Sequence, residues 1–117
     1  MSDTPINFTK LDEMKSVMGD VFIQLIPAYL EQSDEMITEM PSLLDNSEME
    51  TLERYAHSMK SSSLNVGAET LSEIARELED TTRNKGNSDT LSEMISAITA
   101  EYAKVKAELN NYLQQIK

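Results

Sequence analysis

The side chains best suited to chemistry lie between Tyr55 and Leu71. His57 is the only histidine, Lys60 follows it three residues later, Ser61, Ser62 and Ser63 come next, and Gly67 stands where the helical pattern stops. A neutral imidazole carries a lone pair near neutral pH and can act as a covalent nucleophile. An ammonium at i+3 on the same helix lies within reach of an anionic group held on that ring. Arg54, at i−3, offers a second cation. Against this stands the ordinary case, in which a lone surface histidine or a lysine near a helix C-terminus is simply solvated.

Composition removes several other chemistries. The 117 residues contain no cysteine, which excludes disulfides and zinc–thiolate sites, and one histidine is too few for a His-rich metal site. A formal net charge of −11 argues against nucleic-acid or anionic-membrane surfaces, which need clustered Lys and Arg. The charge serves solubility first, and it can steer a basic patch on a partner. Neither a glycine-rich phosphate loop nor a Walker lysine nor a kinase-type Asp/Asn pair is present, so no ATP-dependent kinase is expected. The opening Met-Ser-Asp-Thr-Pro-Ile lacks the basic and apolar regions of a leader, and no apolar run approaches bilayer thickness. A soluble cytoplasmic protein is the expectation.

Length and patterning predict one helical domain spanning 1–117. Few glycines, prolines and aromatics against many Leu, Ile, Met, Ala, Glu and Lys favour helix over sheet. Phe8, Leu11, Met14 and Met18 predict a short helix over 10–18, with Thr9 as its cap and Gly19 as its stop. Phe22, Leu25, Ile26, Tyr29, Leu30, Met36, Ile37, Met40, Leu43 and Leu44 predict a second helix over 20–45, capped by Asp20. It should be kinked by Pro27 and Pro41. Ser47 and Glu50 have the spacing of a capping box, so a third helix is predicted over 48–64, its core stripe Leu52, Tyr55, Ala56, Met59 and Ser63. Gly67 supplies the left-handed turn that ends it. A fourth helix, 69–85, turns Leu71, Ile74, Ala75 and Leu78 inward and ends at Gly86. The fifth, 89–116, follows the caps Asn87, Ser88 and Asp89 and carries an apolar stripe from Leu91 to Ile116. Short connections force antiparallel neighbours. The predicted fold is therefore all-α: an antiparallel up-down-up-down four-helix bundle with a short extra N-terminal helix as a lid. The eight methionines mostly fill its interior, as Met36, Met40, Met59 and Met94 do by position.

At about 100° per residue, the third helix's core arc lies within roughly 60° of Leu52. His57 then falls near 140° and Ser61 near 180°, away from the core, with Lys60 at the flank near 80°. An exposed histidine with a small residue one turn on leaves room for another protein to approach the ring.

The run His57-Ser-Met-Lys60-Ser61-Ser-Ser-Leu-Asn-Val-Gly67-Ala resembles the signature of histidine-containing phosphotransfer (HPt) domains. In these an acceptor histidine is followed by an apolar residue, lysine, small residues and Gly-Ala. The resemblance implies that His57 is the phosphoacceptor and that Lys60 stabilises the phosphoryl group. It further implies partners, response-regulator receiver domains and a hybrid sensor kinase, that supply the acidic pocket and Mg²⁺, with no cofactor on this chain. Family members commonly carry glycine where Ser61 stands, and the Lys-Ser-Ser version resembles members of the quorum-sensing phosphorelay type. Some members also hold the imidazole with a polar group from the next helix, and by spacing Glu79 is the candidate. Ser72, Arg76, Glu79 and Arg83 read more simply as a surface ladder. Leu64, with Arg54, Ser58, Ser61 and Asn65 around it, is the candidate docking surface. A monomeric phosphorelay intermediate is the leading expectation, and a non-catalytic helical adaptor binding a receiver or kinase is the alternative.

Overall fold

The computed structural model describes residues 5–116. Met1–Thr4 and Lys117 lie outside the described residues, and with them most of the opening stretch and the last position of the predicted span. Five helices follow one another: α1 Phe8–Met18, α2 Asp20–Asp45, α3 Met49–Asn65, α4 Glu69–Arg83 and α5 Ser88–Gln115. Residues 46–48, 66–68 and 84–87 connect the last four, too few to allow anything but antiparallel neighbours. Around the bundle, α2 packs on α3, α3 on α4, α4 on α5 and α5 back on α2, and among the described residues the diagonal pairs do not meet. The predicted four-helix bundle is thus the fold.

The interior is filled by the apolar stripes, with Phe22, Ile26, Met40, Leu52, Met59, Leu71, Leu78, Ile98 and Leu109 fully buried. The pairing of α3 with α4 is the most intimate of the four. Small buried residues, Ala56 and Ser63 on one helix and Ser72 and Ala75 on the other, let the backbones approach. Polar side chains tie α2 to its other neighbours. Tyr29 Oη and Ser63 Oγ are 2.9 Å apart, and Tyr102 Oη donates to Asp34 Oδ1 at 2.6 Å. Lys106 Nζ adds a 3.0 Å contact to the same Asp34 carboxylate, fixing the register of α5 on α2.

Closure of the helix C-termini accounts for the departures from the sequence reading at Ser47 and Lys85. Helices α2, α3 and α4 all close by the same double bond, in which the amide two residues beyond the cap reaches back five positions. These are Glu48 N to Leu43 O at 2.8 Å, Ala68 N to Ser63 O at 2.8 Å and Gly86 N to Thr81 O at 2.9 Å. Each needs a left-handed residue before it, and these are Ser47 (φ 57°), Gly67 (φ 79°) and Lys85 (φ 58°). Ser47 is therefore spent on ending α2 and caps nothing; α3 starts after Glu48 with no side-chain cap. Helix α4 stops at Arg83, and Lys85 rather than Gly86 takes the left-handed position. Asn7, not Thr9, caps α1, its Oδ1 accepting from the Lys10 amide at 3.2 Å. Asp20 is the first residue of α2 rather than its cap, which is Gly19. Pro27 and Pro41 lie on exposed positions, and α2 runs unbroken through both.

The lid is held at the α3–α4 turn. The Asn7 amide donates to Gly67 O at 2.8 Å, Ile6 and Leu11 are buried, and the Phe8 ring stands 6.2 Å from that of Tyr112. Gly67 thus meets two demands, since a Cβ there would lie 2.9 Å from Asn7 O in addition to opposing the positive φ. Gly67→Ala is expected to cost about 1–3 kcal/mol. Gly19→Ala would meet no neighbour within 4 Å, but at φ 64° and ψ −135° its backbone is one that essentially only glycine adopts, so a loss of similar size is expected from strain alone. Urea denaturation of the two variants measures both losses, and a Gly67→Ala loss well under about 1 kcal/mol would show that the close approach of Asn7 carries no weight.

Candidate functional site

His57 sits at the middle of α3 with its side chain 61% exposed, on the outward face that the helical angle assigns. Its ring is not free. Nδ1 lies 2.7 Å from Oε2 of Glu79, a residue of α4 whose side chain is only 3% exposed. The other oxygen, Oε1, receives Lys60 Nζ at 2.7 Å. Arg83, one turn further along α4, donates from Nη2 to Oε2 at 3.0 Å and from Nε to Glu53 Oε2 on α3 at 3.2 Å. Ser72 Oγ donates to the Lys60 carbonyl at 2.7 Å, fixing α4 against this stretch of α3.

The electrostatics follow from Glu79. Burial pushes its carboxyl up, but the bonds from Lys60 and His57, with their charges, outweigh this and hold it below the usual carboxylate range. An ionised carboxylate only accepts, so Nδ1 must carry the hydrogen. In the neutral ring the lone pair then resides on Nε2. The site is therefore an oriented, exposed imidazole of fixed tautomer, with an ammonium one turn away.

Two members of the supposed surface ladder are misplaced by that description. Arg76 conforms to it, half exposed and paired with Glu73 at 3.1 Å and Asp80 at 3.5 Å. Glu79 and Ser72 do not, being 2% and 7% exposed. Their signal was the repeat Ser72, Ala75, Glu79 and Thr82 at three-and-four spacing, a small and polar flank that suits a close helix pair. All four are buried.

A model of the Hpt domain matches residues 24–117. The chain belongs to the Hpt domain family. No curated protein matches it. Among solved structures it is similar to histidine-containing phosphotransfer protein B of Pseudomonas aeruginosa PAO1, at 25% identity and a TM-score of 0.89, covering 97% of this chain and 98% of that one. Histidine-containing phosphotransfer protein ZmHP2 from maize shares the fold at 20% identity and a TM-score of 0.79, with 92% and 86% covered. A rice protein does so at 17% identity and a TM-score of 0.82, with 100% and 89% covered. As an Hpt domain, the chain serves phosphotransfer in two-component signalling.

The remaining candidates of this Hpt domain divide. Ser58, Ser61 and Asn65 are exposed, and Leu64 is 44% exposed. Arg54 is exposed and turns back to Thr51 Oγ1 at 3.2 Å, so it adds no cation to the Glu79 cluster. The sequence reading missed three exposed apolar residues on α1 and α2: Val17, Val21 and Leu25 are 87%, 59% and 42% exposed. Leu25, expected in the core, instead lines a groove of about 190 Å³ with Met14, Ala28, Ser62 and Asn65. Their spacing of four across Gly19 was the available signal, hidden because Leu25 also fits the core stripe of α2. Among the described residues no helix is long and apolar enough to cross a membrane.

Because the Glu79 carboxyl is depressed in the folded state, its contribution to stability is present above the unfolded value of about 4.3 and is lost as pH falls through the folded value. Glu79→Gln is expected to cost about 1–2 kcal/mol at pH 7. Urea denaturation at several pH values should show the gap between wild type and variant closing below about pH 4. A gap that widens on acidification would contradict the ionised assignment.

Proposed function

We propose that this chain is a phosphorelay intermediate that takes a phosphoryl group onto His57 from a receiver-domain aspartate and passes it to another receiver aspartate. The observation that carries this is the bond from His57 Nδ1 to buried Glu79, which leaves Nε2 as the exposed nucleophile. The Nε2 lone pair attacks phosphorus, the P–O bond to the aspartate breaks, and its electrons leave with the carboxylate. The Nδ1 hydrogen stays in place. The ring becomes positively charged as the N–P bond forms, and Glu79 faces that charge. Lys60, three residues along α3, offers its ammonium to the phosphoryl oxygens in a transition state governed by positioning and charge. The return step runs through the same atoms in reverse, which suits a carrier rather than a kinase.

Mg²⁺ belongs, in this proposal, to the receiver. Among the described residues no group of three or more His, Cys, Asp or Glu could hold a metal. The groove lined by Leu25 and Asn65, with Leu64, Ser58 and Ser61 of α3, is assigned to receiver docking, with the protein a cytoplasmic monomer.

Incubation with a phosphorylated receiver domain, followed by mass analysis under alkaline conditions, should add one phosphoryl group to the wild type and none to His57→Gln. Labelling of that variant would remove His57 as acceptor. A folded wild type that binds receivers without gaining phosphate would point instead to a non-catalytic adaptor. Leu25→Glu should slow labelling by the receiver about tenfold or more while leaving the helical content intact, as expected when a charge is forced into an apolar contact. An unchanged rate would place the docking surface elsewhere.

A further inference from the structure

Glu79 is shared by two cations, Lys60 on Oε1 and Arg83 on Oε2. A phosphoryl group on Nε2 of His57 would change that balance. Lys60 is the ammonium within reach of the new dianion, and its side chain is 30% exposed and able to swing. Its departure would strand a carboxylate that is 3% exposed, next to an added negative charge. A buried carboxylate without a counter-ion is costly, and relief by protonation would cost the bond that orients the imidazole.

Arg83 is placed to prevent this. It binds Oε2, the oxygen that also holds Nδ1, and not Oε1, the one that Lys60 occupies. Its Nε is anchored by Glu53 on α3, so the guanidinium bridges both helices. A guanidinium stays charged at any working pH and presents its donors in a fixed fork. Arg76, by contrast, pairs only with Glu73 and Asp80 of its own helix.

We infer that Arg83 is a positioning residue for phosphoryl transfer, remaining on Glu79 as its counter-ion when Lys60 turns to the phosphoryl group and so keeping Glu79 bound to His57 Nδ1. The inference rests on His57 being the phosphoacceptor. No bond is made or broken at Arg83; the covalent change stays at Nε2.

The test loads the full chain with potassium phosphoramidate, a small phosphoryl donor that needs no docking surface, and follows loading rate and label lifetime by intact mass at alkaline pH. Arg83→Gln should load about three- to tenfold more slowly than wild type, the range expected for a partly exposed ion pair that becomes the sole counter-ion. Arg83→Lys should recover most of the rate, and Arg76→Gln should match wild type. In a Glu79→Gln background, where no carboxylate needs neutralising, Arg83→Gln should add no further defect. Wild-type loading by folded Arg83→Gln, or a defect that persists undiminished in the Glu79→Gln background, would overturn the inference while leaving His57 as acceptor. A wild type that loads neither from phosphoramidate nor from a phosphorylated receiver would fail the phosphotransfer proposal itself, and this inference with it.

Discussion

A single buried carboxylate, Glu79, organises the face that carries His57. It lies in the seam between α3 and α4, where the two helices pair most closely, and it satisfies His57, Lys60 and Arg83 at once. Burial alone would favour its neutral form, and the bonds from Lys60 and His57 offset this and hold the carboxyl below its usual range. The ion pair, the ring orientation and the tautomer are consequently one arrangement. Anything that spreads the seam weakens all three, and so the small buried residues Ala56, Ser72 and Ala75 matter to the geometry around His57.

The bundle supplies what that seam requires. Three helix ends close by the same backbone bonds, each using a left-handed residue, so the connections stay at three or four residues and leave little freedom in how α3 faces α4. The α3–α4 turn is further pinned by the Asn7 amide on Gly67 and by the Asn7 cap of α1. One end of the catalytic seam is therefore fixed by the lid. The same lid carries exposed Val17 and, across Gly19, leads to exposed Val21 and Leu25.

Much of this was legible in the residues. Helical periodicity set five helices, turn lengths set their antiparallel order, and the angle of His57 from Leu52 set its exposure. Two errors have separate causes. The Ser47–Glu50 spacing fits a capping box, yet closure of α2 claimed Ser47 first, because one residue cannot be both left-handed and an N-cap. Leu25 fits the α2 stripe, yet that stripe is wider than the face its neighbours cover, and the leucine is left at the rim of the groove.

What the sequence by itself determined is the local chemistry: one imidazole, an ammonium one turn later, small residues around them, and a glycine able to end the helix. These depend on residue type and on separations of a few positions, and a helix converts both into geometry. The family resemblance offered Glu79 as a candidate partner of the ring, but only the tertiary structure decided that it closes on Nδ1 from twenty-two residues away, and that Arg83 and Glu53 join across the seam. Such contacts depend on the distance and register between two helices. Those are set by packing over the whole bundle, and no short-range pattern encodes them.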